Sequence, residues 1–122
     1  MLMDSVTQTI SIDAPPDAVL AVVGDARNLP RWAPGFARSV RADGEGWIVD
    51  TGEREVRRHI PVSREHGTVD FLARPGAPHG LFTRVVGNGD GSQLTFVFVG
   101  DGSEQQRTIL AAELETLKRL CE

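Results

Sequence analysis

A chain of 122 residues, 40% of them hydrophobic and 25% charged, is long enough to bury roughly two thirds of its unfolded surface as one domain without disulfide or metal staples. Its net charge of -4 argues against nucleic acid or an anionic membrane surface as partner, since either favours a basic patch. The single cysteine, Cys121, excludes an internal disulfide and a zinc site built on cysteines.

The opening MLMDSVTQTI has no basic stretch ahead of an apolar one, so a signal peptide is not expected. No apolar run approaches the ~20 residues of a membrane span, and a cytoplasmic location is the expectation. SVTQTISID, 5 to 13, sets Val6, Gln8, Ile10 and Ile12 against Thr7, Thr9 and Ser11. This alternation predicts a strand with one mostly apolar face. In APPDAVLAVVGD, Pro15 and Pro16 suit the first turn of a helix, Asp17 its positive end, and Gly24 a stop after Val23. DARNLPRW predicts a second short helix or turn that breaks at Pro30. Trp32, one of two tryptophans, stands between Pro30 and Pro34. Prolines that close exclude a regular helix or strand across 27 to 36. A large ring on such a connector either caps the core or walls a ligand cavity, and its N–H needs a partner.

Beyond Trp32 the chain reads as strand and turn. FARSVRAD (36–43), GWIVD (46–50), EREVRRHIPV (53–62), GTVDFLAR (67–74), LFTRVVG (81–87) and SQLTFVFV (92–99) predict six strands. NGDG at 88 to 91 predicts a tight hairpin, and the short links predict an antiparallel meander. Then the period becomes helical. Ser103 with Gln106 is a capping-box signature, with Asp101 as an alternative cap. Leu110, Leu114, Leu117 and Cys121 recur on one helical face, while Glu113, Glu115, Lys118 and Arg119 fall elsewhere. The stripe needs an apolar partner, and the sheet is the only candidate.

No nucleophile elbow, phosphate loop or helical zinc motif is present. His59, His66 and His79 are the only histidines; they fall on separate strands or turns, and no metal site is expected. The strand EREVRRHI is mixed on both faces: Glu55, Arg57 and His59 on one, Arg54, Val56, Arg58 and Ile60 on the other. If the following turn centres near Arg64, Arg58 sits opposite Asp70, and Glu55, Arg57 and His59 point inward with Phe71. A one-residue slip puts Val56 and Ile60 inside instead. The first register is favoured. It would place titratable groups in an apolar cavity, with His59 or Glu55 as acid or base. The plainer reading is a sheet edge open to water. Trp47 and Arg84 are further pocket candidates, equally readable as core packing and a solvated strand face.

ISIDAPPDAVLAVVGD, then W-A-P at 32 to 34, then GSQLTFVFVG and the closing AAELETLKRL resemble, in order and spacing, the START/Bet v 1-like (SRPBCC) superfamily. Within it the chain is most similar to small bacterial polyketide cyclase/dehydrase-like proteins. The resemblance covers nearly all of 1–122 and implies a single α+β domain of helix-grip type. In that fold a curved antiparallel seven-stranded sheet wraps a long C-terminal helix, with two short helices after the first strand and a cavity inside. Trp32 would stand near the cavity mouth. The implied function is binding of a small hydrophobic or aromatic molecule, lipid- or polyketide-like, without a cofactor or metal. Trp32, Trp47, Arg57, His59, Phe71 and Arg84 are the candidate contacts. Two alternatives stay open: a polyketide cyclase/dehydrase-like enzyme in which orientation does most of the work, and a protein-interaction domain with a collapsed cavity. The absence of tyrosine counts against an enzyme that steers a polar substrate.

Overall fold

The structure, a computed structural model, describes residues 1–122. Chain order is β1 (Ser5–Ile12), α1 (Pro16–Val23), a 3-10 turn (Ala26–Asn28), α2 (Leu29–Trp32), β2 (Ser39–Asp43), β3 (Gly46–Asp50), β4 (Glu55–Arg58), β5 (Val62–Ser63), β6 (Thr68–Phe71), β7 (Gly80–Asn88), β8 (Gly91–Val99) and α3 (Glu104–Cys121). The fold is α+β, with antiparallel strands throughout and one long C-terminal helix. No helix is long and apolar enough to cross a membrane.

Local signals set most of these elements. Extended Pro15 precedes α1, where a missing N–H leaves no helical bond unmade. Proline also starts α2: Pro30 lies in its first turn. The 27 to 36 segment thus holds one helical turn instead of a break at Pro30, because proline is tolerated at that position. The Ser103 hydroxyl accepts from the Gln106 amide at 3.1 Å and caps α3. Gly89, at φ +59, and Asp90 form the two-residue turn between β7 and β8, whose ends pair Asn88 with Gly91.

The strands form two sheets, ordered β1-β8-β7-β6-β5 and β2-β3-β4. This corrects the expectation of one seven-stranded sheet. The segment expected as a single strand over 53 to 62 divides into β4 and β5. Pro61 lies between them and has no N–H for a ladder. His59 bonds Leu72 in both directions, at 2.7 and 2.9 Å, and forms an isolated bridge across the division.

One core serves both sheets and the helices. Val6 and Ile12 of β1, Leu94 and Phe96 of β8, Val69 of β6 and Val49 of β3 join Val19, Val23 and the α3 stripe Leu110, Leu114 and Leu117. The helical spacing of those leucines therefore does what the sequence implied. α3 packs on β1, α1 and α2.

Candidate functional site

The register of β4 decides which side chains reach the interior. Val49 stands opposite Val56 and Trp47 opposite Arg58, so these four share a face. Val56 and Ile60 pack against the core. The favoured register, with Glu55, Arg57 and His59 inside, is therefore overturned. The hairpin between β5 and β6 pairs Ser63 with Thr68 and Val62 with Val69, so its turn centres between Glu65 and His66, not near Arg64. The offset is an odd number of residues and reverses the faces. Asp70 lies opposite Phe82 rather than Arg58, and burial raises its carboxyl above the ordinary range.

On the outer face, Arg41 donates to Glu55 at 2.6 Å and Arg57 to Asp43 at 2.6 Å. The bond from Arg41 holds the Glu55 carboxyl below its ordinary value, the wrong direction for a base working near neutrality. Arg84 is exposed and pairs across to Thr68 and Thr95. Trp47 is half-buried opposite Arg58, and His59 is held in its bridge to Leu72. Of the expected site residues, Glu55, Arg57, His59, Trp47 and Arg84 do not line the cleft described next.

That cleft, of about 800 Å³, opens where α2, the ends of β4, β6 and β8, the start of β7 and the stretch of α3 from Gln106 to Thr116 converge. Of its 23 lining residues 13 are hydrophobic, so an apolar occupant suits it. Trp32 and Phe71, both expected at the site, line it together. Their rings meet edge to face at 5.7 Å, and Phe96 lies 5.8 Å from Trp32 on another side. Trp32 is 2% exposed, so the two explanations for this ring combine: it belongs to the core and forms part of the cleft wall. Its Nε1–H is buried without a partner, an arrangement that costs about 1–3 kcal/mol.

The charged residues of the cleft, Glu113, Arg58 and Asp101, were not among the expected contacts. Glu113 on α3 lines it, and burial alone pushes its carboxyl from 4.5 to about 7. A signal for this was present: Ile109, Leu110, Thr116 and Leu117, its helical neighbours, include no cation. Arg58 enters from β4, with its guanidinium carbon 5.4 Å from the centre of the Phe36 ring. Burial, with repulsion from Arg54, pushes this guanidinium below its ordinary value. His79 and Asp101 sit at the rim, and Gln106 and Thr116 complete the polar lining. No group of three or more His, Cys, Asp or Glu side chains is gathered where a metal ion could be held.

Residues 3–122 match the sequence profile of a family described as polyketide cyclase / dehydrase and lipid transport. No curated protein matches the sequence. Several solved structures share the fold. The Aha1 dimer from Colwellia psychrerythraea superposes with a TM-score of 0.74 at 13% identity, over 98% of this chain and 97% of that one. KanY gives 0.72 at 22% identity, over 99% of each chain. DynU16, a protein of the dynemicin biosynthetic locus, gives 0.69 at 21% identity, over 95% of this chain but 46% of its own. At such identities the likeness is one of fold, and function has to be argued from the site.

Proposed function

The chain belongs to the polyketide cyclase/dehydrase and lipid transport family, and from that premise we propose that it binds a small hydrophobic or aromatic molecule in the cleft beside Trp32. The observation that carries this reading is the cleft itself: about 800 Å³ of mostly apolar space, within the roughly 300–1,000 Å³ range of small-molecule sites. Its volume also speaks against a collapsed interaction domain. In this reading the two sheets act as the grip and α3 as the gripped helix. Trp32 and Phe71 supply aromatic contact, and Leu110 and Ile109 the aliphatic wall.

Glu113 favours a second reading, a cyclase/dehydrase-like enzyme. A carboxyl held near 7 in apolar surroundings can take a proton from a carbon beside a carbonyl and return it later. That role replaces the one expected for His59 or Glu55. Binding is the primary reading because it needs only the cleft.

Titration of the protein with neutral 1-aminoanthracene, followed by probe and tryptophan emission, tests the proposal. Saturable one-to-one binding is expected. Ala112, exposed on α3 but lining the cleft, is a position where bulk can fill the space without entering the core, so Ala112→Trp should abolish binding while the protein stays folded. Absence of saturable binding, or equal binding by Ala112→Trp, would refute the reading.

A further inference from the structure

The inner face of β4 carries one residue that packing does not explain. Val56 and Ile60 are apolar and meet the core, yet Arg58 between them is a cation. On the outer face Arg41 and Arg57 each hold a carboxylate at 2.6 Å. Arg58 holds none: its one hydrogen bond runs from Nη1 to the Arg57 carbonyl at 2.9 Å. A half-buried guanidinium with most of its donors free is unfavourable unless a partner arrives. Its guanidinium lies over the Phe36 ring, an attractive cation–π contact.

We infer, resting on the reading of the cleft as a ligand site, that Arg58 is its anion-recognising residue and that the ligand is an apolar monocarboxylic acid whose carboxylate meets this guanidinium. The planar fork suits a carboxylate through two parallel N–H···O bonds. The surrounding charges select a monoanion. Facing the cleft are Arg58 from β4, His79 just before β7, Asp101 in the loop before α3 and Glu113 on α3. One guanidinium offsets one negative charge; a dianion would face Asp101 and Glu113 without a second arginine. Glu113, largely protonated below about 7, leaves Arg58 unneutralised and adds little repulsion there. Above that pH its carboxylate opposes the bound acid.

The test compares decanoate with 1-decanol, which share a ten-carbon chain and differ in the head group, by displacement of 1-aminoanthracene at pH 6.5. The wild type should prefer decanoate by about tenfold or more, as expected for a hydrogen-bonded charge. In Arg58→Met the preference should fall to near one, and in Arg58→Lys part of it should survive. Decanoate affinity in the wild type should decline between pH 6.5 and 8.5, and Glu113→Gln should lessen that decline. Equal affinity for decanoate and decanol in the wild type overturns the inference while leaving the apolar-ligand reading intact, and it decides the matter even if Arg58→Met does not fold. An undiminished preference in a folded Arg58→Met also overturns it. If neither compound nor the probe binds, the ligand reading falls and the inference with it.

Discussion

Substituting glutamine for Glu113 tests the electrostatics of the cleft without needing a ligand. Burial moves the carboxyl from 4.5 to about 7 in the folded chain, while the unfolded chain keeps the ordinary value. Between those pH values the folded state holds a proton that the unfolded state has lost. Stability therefore declines as pH rises through the window and stays lower above it. At about 1.4 kcal/mol per pKa unit the full effect is about 3 kcal/mol, and water at the cleft mouth screens it to about 2 kcal/mol. Glu113→Gln has no such titration. Urea denaturation of both proteins at pH 4.5 and 8.5 gives a double difference in which the paired carboxylates Asp25, Glu55 and Glu122, each held below its ordinary value by a partner, cancel. The variant should gain about 2 kcal/mol on the wild type between the two pH values. A double difference below about 0.5 kcal/mol, the usual scatter of such comparisons, would mean that the carboxylate is hydrated and the cleft wet at that point.

Leu114→Ala removes a side chain 2% exposed in the seam between α3 and the sheet, and should cost on the order of 2–5 kcal/mol in denaturant unfolding; a loss under about 1 kcal/mol would place the stripe away from the core. Gly67→Ala should destabilise more than an exposed glycine change, because Gly67 sits at φ +68 and a Cβ there would come within 2.4 Å of the Val85 carbonyl. A melting temperature within a degree of the wild type would contradict that contact. Ser103→Ala removes the cap that accepts from Gln106 and should lower stability by about 1 kcal/mol, read by the same denaturation; an unchanged midpoint would show that Asp101 takes over the cap.

Features set by groups within a few residues of one another were legible in the chain. β1 follows from strict alternation, α1 from two prolines and a terminal glycine, the β7–β8 hairpin from NGDG, and α3 from its cap and leucine spacing. Each signal acts through neighbouring backbone groups and needs no distant partner. Trp32 and Phe71 also stood out in the chain as aromatics, one of them on a proline-bounded connector, and the structure brings both to the wall of one cleft. The inner face of β4, by contrast, was settled by long-range packing. Both of its faces mix charge with apolar groups, so periodicity cannot choose between them, and the choice passes to the length of a turn between Ser63 and Thr68. An odd offset there moved Arg58 in and sent Glu55 and Arg57 to the ion pairs outside. Pro61 announced a break but not that the sheet would divide there, since that depends on which strand the freed edge meets. Glu113 gained its chemistry in the same way. An isolated helix leaves its carboxylate in water, and only the walls brought by α2, β6 and β8 make that charge costly.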